Sequence, residues 1–497
     1  MRSDDRRENG HPRWMGHLGQ RIRVAPPSGV RRPGDRIVRR EPLPSEVIRL
    51  RLVPRRRITL PLLVVLWLIL GGAVALGTLL LRWPATWQYV EGPSWWQAFF
   101  TALSATCTAG FAPLDVATTW NRWGQLVILL LVEAGGLAYV AITVLLLSGI
   151  VRRTTVYEAH HVLGMRLGEE QLGELWPLVR RLVVATLLVQ FAGMLLLLPA
   201  SSREHQDSAP ALWWAVVTAV TAFHNAGFDF EPGFRGSAAY QRDWGVVLPV
   251  AMLVLIGSLG FPTLSDLATR RSWRRLYPDT RLVLVTTALL LSIGTLGIWF
   301  LERSNAATLA GVPWYQQLLD AFSVAVSRTG GPRVIETRML GEETSFLLGG
   351  LTFIGGASGS VAGGVKVQTF SLLLLAILAT IRGHQRVVAF GREVPDRQVF
   401  RALSIAVFAL AVTFAGTVWL AFLVPYPLPV VWLLVVQAFG LAGAESELLA
   451  ALGTPGQLVL AFLIILGRFG PLGLALIFAT QVPRETVHYA RETVRLG

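Results

Sequence analysis

The chain is built from long apolar blocks joined by short polar connections. Eight blocks, at 58–82, 122–151, 177–200, 244–267, 280–301, 344–381, 399–425 and 454–480, reach membrane-spanning length. A helix rises 1.5 Å per residue, so about 20 apolar residues cross the hydrocarbon. Between the members of each consecutive pair lies a weaker apolar segment, at 95–109, 209–226, 314–330 and 428–442. These hold roughly 15 residues each, too few to cross, and end in small residues rather than basic ones. That pattern predicts helices that enter the membrane and turn back.

The unit of span, half-span, span therefore occurs four times, over 58–151, 177–267, 280–381 and 399–480. The half-spans end in TCTAGF (106–111), FHNAGF (223–228), SRTGGP (327–332) and FGLAGA (439–444). Aligning their last glycines sets Gly110, Gly227, Gly331 and Gly443 in register, with separations 227 − 110 = 117, 331 − 227 = 104 and 443 − 331 = 112. A second register follows: Gly135–Gly136, IGSLG (256–260), IGGASG (354–359) and LGRFG (466–470) begin their glycines 24 to 30 residues further on. For the first two of these spans, close helix packing through small residues is an equally good reading.

Composition supports a polytopic membrane protein. Of the 497 residues 53% are hydrophobic and 15% charged, against about 25% charged in soluble domains. The net charge of +14 is concentrated in residues 1–57, where 16 Arg and 6 Asp or Glu leave 16 − 6 = +10. This arm is rich in Pro and Gly and reads as a disordered cytoplasmic segment that lies on anionic membrane lipid rather than on nucleic acid. No cleavable signal peptide is visible, and the single cysteine, Cys107, excludes an intrachain disulfide. Arginines follow every second span, at 152–153 through 180–181, 270–275 and 382–401. The positive-inside rule then places both termini, including the tail 481–497, in the cytoplasm of a plasma (inner) membrane protein, with all four half-spans opening outward. Trp83, Trp87, Trp95, Trp96, Trp213 and Trp214 fit an aromatic belt at the outer interface.

A dehydrated cation needs oxygen ligands in place of water, and inward-facing backbone carbonyls supply them. Aiming successive carbonyls one way requires positive-φ conformations that glycine adopts cheaply, and each short helix turns its negative dipole end toward the centre. Glycine-capped short helices are the alternative, but four copies in register favour a selectivity filter. The candidate filter residues are Thr108, Ala109, Gly110; Asn225, Ala226, Gly227; Thr329, Gly330, Gly331; and Leu441, Ala442, Gly443, with the cation on their carbonyls.

TAGF, HNAGF, FIGGASGSVAGGVKV and LGRFGPL resemble motifs of the Trk/Ktr/HKT superfamily of potassium transporter membrane subunits, over roughly residues 58–480. Eight spans resemble the Ktr branch. The resemblance implies an all-α fold of eight transmembrane helices and four re-entrant pore helices around one pore. It further implies potassium preference from four filter glycines, a homodimer, and a cytoplasmic nucleotide-binding subunit of the KTN/RCK type. Two loops depart from the family pattern. The third has Gly330 and Pro332 where Ala and Phe are usual, and the fourth has Leu441, Ala442 and Ala444, followed by Glu445. Either change loosens the filter, which keeps a less selective Na+/K+ transporter open as the alternative.

The stretch FIGGASGSVAGGVKVQTF (353–370) interrupts the sixth span. Unwound backbone at that depth must line a cavity or be buried in protein. In the family this break is an intramembrane gate, which would here comprise Gly355, Gly356, Gly359, Ser360, Gly363, Gly364 and Lys366. Lys366, the only lysine of the chain, would repel permeating cations or pair with an acid; snorkelling to the interface is the alternative. Arg468, mid-span, is expected to face the pore, or else to pair with a buried carboxylate, for which Glu133 is the candidate. His224 reads as a loop hydrogen-bonding residue, and His160–His161 lack metal-site spacing. Phosphate-binding glycine loops, nucleophile elbows and paired catalytic acids are not found in a suitable context. A transporter with no cofactor of its own, carrying K+ and in the alternative also Na+, is therefore favoured over a lipid-modifying membrane enzyme.

Overall fold

The computed structural model describes residues 59–88, 92–159, 170–204, 207–231, 243–333, 335–444 and 446–480. The basic arm, His160–His161, Glu445 and the tail 481–497 lie outside the described residues. Repeat 1 comprises α1 (Thr59–Leu81), α2 (Trp95–Thr106), the single turn α3 (Val116–Thr119) and α4 (Arg122–Ala159). Repeat 2 comprises α5 (Glu170–Glu204), α6 (Ser208–Phe223), α7 (Trp244–Leu259) and α8 (Phe261–Arg270). Repeat 3 comprises α9 (Pro278–Glu302), α10 (Trp314–Val326), α11 (Glu342–Phe353) and α12 (Val367–Ile381). Repeat 4 comprises α13 (Asp396–Leu423), α14 (Leu428–Gly440), α15 (Ser446–Ala451) and α16 (Gly453–Thr480). A two-stranded hairpin, Val388–Ala389 against Arg392–Glu393, joins repeats 3 and 4.

The short helices α2, α6 and α14 each pack between the two long helices of their own repeat, whereas α10 packs on α9 of its repeat and on α7 of repeat 2. Local sequence fixes where these helices start. In α2, Ser94 and Gln97 form a reciprocal capping box: the Gln97 N–H donates to Ser94 Oγ (3.2 Å) and the Ser94 N–H to Gln97 Oε1 (2.8 Å). In α14, Pro427 precedes the helix and Pro429 sits in its first turn, where the missing N–H is harmless. Among the described residues, five helices are long and apolar enough to cross a membrane. Large apolar side chains point outward, with Phe414, Trp419 and Phe422 of α13 exposed. Such a surface suits hydrocarbon, not water.

Two of the predicted spans are not continuous. The segment 244–267 bends by 96° between α7 and α8. Gly260 makes the bend with φ +78°, and a Cβ there would lie 3.0 Å from Ser358 O and Ser360 N. The segment 344–381 divides into α11 and α12 around residues 354–366.

Tryptophans tie the repeats into a ring. Trp96 Nε1 of α2 donates to Gln457 Oε1 of α16 (2.7 Å), and Trp213 Nε1 of α6 to Gln125 Oε1 of α4 (3.0 Å). Trp244 Nε1 of α7 donates to Gln316 Oε1 of α10. At the fourth joint, Trp432 of α14 closes on Gly349 of α11, where a Cβ would meet its indole. The expected aromatic belt is accordingly narrower. Trp83 and Trp95 are exposed, whereas Trp214 is buried in the repeat 2 core and Trp96 and Trp213 serve as joints.

Candidate functional site

The four short helices converge with their C-terminal ends. In three of them the exit is the same. Thr108 (φ 55°), Asn225 (φ 53°) and Leu441 (φ 58°) adopt the left-handed conformation. The next residue's N–H then returns to a carbonyl five residues back: Ala109 to Ser104 (2.8 Å), Ala226 to Thr221 (2.8 Å) and Ala442 to Gln437 (2.9 Å). For Thr and Leu this conformation costs roughly 1–2 kcal/mol, so the surroundings hold it in place. Asn225 also ties two loops together, its Nδ2 donating to Thr329 Oγ1 (3.0 Å).

The loops then touch one another. A Cβ added to Gly227 would lie 3.0 Å from Gly443 Cα and 3.2 Å from Ala442 O; one added to Gly443 would lie 2.9 Å from Gly227 Cα and 3.3 Å from Gly110 O. One added to Gly110, at φ +75°, would strike the Gly227 backbone. The third loop differs. After α10 a 3₁₀ turn (Ser327–Thr329) intervenes, and Gly330 (φ +105°) makes the exit. Gly330 faces Asn225 O and Leu441 O, while a Cβ on Gly331 would meet the Val254 side chain. Gly330 thus lies at the level of Asn225 and Leu441, two residues before the glycines of their loops, while Gly331 turns toward Val254. The flanking Pro332, with φ fixed near −65°, cannot take the positive φ that Gly110 and Gly443 adopt.

The glycines of the second register have a packing role in three repeats. A Cβ on Gly135 would collide with Thr106 O, on Gly257 with Phe223 O and on Gly467 with Phe439 O. Each lets its helix lie against the end of its own repeat's short helix, two residues before the left-handed turn. Repeat 3 uses a side chain in the corresponding place. Arg328, 2% exposed, sends Nη1 to the carbonyls of Ile354, Gly355 (3.3 Å) and Leu351 (3.4 Å). It caps the C-terminus of α11, where unpaired carbonyls and the helix dipole attract a cation. Sequence reasoning passed over Arg328, although a charge at the end of an apolar half-span was a usable signal. Arg328→Gln is expected to lower stability by about 2 kcal/mol, the scale of unpairing buried carbonyls from a charged donor. A fall in thermal unfolding temperature in detergent is the check; an unchanged transition would remove the capping role.

The interrupted segment of repeat 3 forms a loop held by all three other repeats. At its base, the Gly355 N–H donates to Val365 O (2.8 Å) and the Val365 N–H to Phe353 O (3.1 Å). Repeat 2 contributes Ser258 O, which accepts from the Ala357 N–H (2.8 Å), and the Phe261 N–H, which donates to Gly359 O (3.2 Å). Repeat 4 contributes Gly440 O, which accepts from the Gly363 N–H (3.2 Å), and Arg468, whose Nη1 donates to Val361 O (2.5 Å). Val144 of repeat 1 packs on Val361. Gly356, Gly359 and Gly363 have no room for a Cβ, and Gly359 and Gly364 have positive φ. Ser360 is buried with them.

Lys366 Nζ donates to Ala362 O (2.5 Å) and lies 5.9 Å from the Tyr139 ring. The described partner is a carbonyl and a ring rather than the acid considered for it. Arg468 is 1% exposed and stacks 3.8 Å from the same ring; its Nε and Nη2 have no hydrogen-bond partner among the described residues. Glu133 pairs elsewhere. Its Oε2 meets His224 Nε2 (2.8 Å) and accepts from Gln190 Nε2 (2.8 Å), tying the second loop to α4 and α5. His224 is therefore a loop hydrogen-bonding residue, and no metal-ligating cluster occurs among the described residues. Arg333, also passed over in the sequence, donates through Nη2 to Ala442 O (2.8 Å) and Gly443 O (2.6 Å).

Residues 77–489 match the TrkH family of cation transport proteins. The chain belongs to this family. Ktr system potassium uptake protein B of Bacillus subtilis (strain 168) is 29% identical over 431 residues, covering 85% of this chain and 94% of the relative. Potassium/sodium uptake protein NtpJ of Enterococcus hirae is 28% identical over 431 residues, with the same two coverages. The crystal structure of the potassium transporter TrkH from Vibrio parahaemolyticus superimposes with a TM-score of 0.64 at 17% identity, covering 84% of each chain. This TrkH-family chain thus has the helical, pore-repeat membrane fold expected, and is a cation transporter rather than an enzyme.

Proposed function

We propose that this TrkH-family protein takes up potassium through a filter of backbone carbonyls from Thr108–Gly110, Asn225–Gly227, Thr329–Gly331 and Leu441–Gly443. The observation that carries this reading is the convergence of four helix ends, with Gly110, Gly227 and Gly443 in backbone contact and Gly330 facing Asn225 O and Leu441 O. Dipoles and carbonyls directed at one point make a site for a cation stripped of water. The loop 354–366 is the gate in this reading, supported by its bonds to repeats 2 and 4. Arg468, with two nitrogens unpaired among the described residues, presents its charge to the pathway, and Lys366 adds a second. The protein works in this reading as a homodimer in the plasma membrane, termini in the cytoplasm, with a KTN/RCK-type regulatory subunit. The arginines at 270–275 and 382–401 support the orientation.

A pathway shared by potassium and sodium is the second reading. It is favoured by the third loop, where a proline follows Gly331 and Gly331 turns to Val254. Uptake of rubidium, potassium and sodium into proteoliposomes holding the purified protein separates the two. Preference for potassium and rubidium by tenfold or more, about 1.4 kcal/mol, is the expected result; equal sodium flux would establish the second reading.

A further inference from the structure

We propose that Arg333 is a tethered cation of the filter, occupying the outer carbonyls of the fourth loop and setting a low affinity for the transported ion. The inference rests on the filter reading above. Arg333 follows the third loop directly, in RTGGPR (328–333). Its Nη2 bridges Ala442 O (2.8 Å) and Gly443 O (2.6 Å), two carbonyls assigned to the ion. Nη1 is anchored on Thr337 Oγ1 (2.9 Å). With the Gln437 amide turned to suit both neighbours, its oxygen accepts from Nη2 (3.1 Å) and its nitrogen donates to Gly443 O (3.3 Å). Four hydrogen bonds thus join the Arg333 guanidinium, loop four's carbonyls and a side chain of α14, and a fifth anchors the guanidinium on Thr337. The other arginine of this segment, Arg338, serves a different purpose, bridging Glu336 (2.6 Å) and Glu447 (2.6 Å).

Chemistry gives the bridge a consequence beyond structure. A carbonyl oxygen has two lone pairs, so Ala442 O can still face an ion with its field partly spent on a fixed positive charge, while Gly443 O has both pairs engaged by Arg333 and the Gln437 amide. An arriving cation meets both weakened ligands and a like charge close by. Conduction requires binding that is weak enough to release, and a guanidinium on one of four loops weakens it on one side only. A planar fork that is always charged suits this task better than a lysine.

The test is rubidium uptake into proteoliposomes over a range of concentrations, for wild type, Arg333→Gln, Arg333→Lys and Thr337→Val. Arg333→Gln keeps an amide donor and removes the charge, and its half-saturating rubidium concentration is expected to fall about tenfold, the scale of removing a nearby like charge in a partly screened mouth. Arg333→Lys keeps the charge but not the planar fork, and its half-saturation is expected to fall between wild type and Arg333→Gln. Thr337→Val, which frees the anchor without touching a filter loop, is expected to shift half-saturation in the same direction as Gln, and it keeps the question open to measurement if Arg333→Gln does not fold. A structural role alone would lower stability in all three variants while leaving half-saturation unchanged in Arg333→Gln and Thr337→Val, and that result overturns the proposal. Gly110→Ser, run in parallel, separates the two failures. If it alters ion preference while Arg333→Gln leaves half-saturation unchanged, only the tethered cation is refuted. If neither variant changes anything, the filter reading falls first.

Discussion

Gly110→Ser and Gly227→Ser are each expected to cut potassium preference over sodium by about tenfold, or 1.4 kcal/mol. Two effects add at Gly110. Its φ of +75° disfavours any L side chain by roughly 1–2 kcal/mol, and the new Cβ would strike the Gly227 backbone. At Gly227 the φ is unremarkable for a side chain, so sterics act alone: the Cβ would stand 3.0 Å from Gly443 Cα and 3.2 Å from Ala442 O. Either substitution pushes one carbonyl strand outward, and an opened ring ceases to replace the water shell of the larger ion. The comparison of rubidium and sodium uptake by both variants is the check. Unchanged preference in both would remove these glycines from the selectivity step.

Deleting residues 356–364 is expected to raise ion flux in the absence of any regulatory partner by on the order of a hundredfold. The deletion joins Gly355 to Val365, which already lie side by side with the Gly355 N–H on Val365 O at 2.8 Å but run parallel, so the junction needs a local turn. It removes the bonds from Ala357 to Ser258, Gly359 to Phe261, Gly363 to Gly440 and Val361 to Arg468. If the loop is the gate, these contacts, at about 1 kcal/mol each, hold its closed position by several kcal/mol, and each 1.4 kcal/mol is a factor of ten. Uptake measured on protein that elutes as a single species in detergent would show the change. A closed and normally regulated pathway after the deletion would end the gate assignment.

The two expectations meet at repeat 3, where the fourfold pattern is least regular. In the other repeats a glycine of the second long helix receives the end of the short helix. In repeat 3 that helix is broken, and Arg328 reaches from the third loop to cap it. The filter loop and the interrupted segment are thus mechanically joined in this repeat through a side chain, while elsewhere the joint is backbone against glycine.

Much of this architecture was legible in the sequence, because it depends on patterns that every copy must satisfy locally. Long apolar blocks, half-spans ending in glycine and a glycine-rich interruption are one-dimensional records of helix length and backbone freedom. They located α2, α6, α10 and α14, the turns at Gly110, Gly227 and Gly443, and the loop 354–366. What stayed hidden depends on partners far apart in the chain. The 96° bend at Gly260 lies directly against Ser358 and Ser360 of the repeat 3 loop. Glu133 chose His224 and Gln190 over Arg468 because helix rotation, unreadable from periodicity in uniformly apolar helices, decides which polar groups meet. The different exit of the third loop, a 3₁₀ turn ending at Gly330 where the other loops use a left-handed Thr, Asn or Leu, shows only in the structure. The sequence by itself determined the number of repeats, their helices and where the backbone must turn, since these follow from hydrophobic length and glycine's missing Cβ. Only the tertiary structure decided which carbonyls face one another and which buried charges hold them, because in a membrane interior a polar group's position is settled by the nearest partner in space.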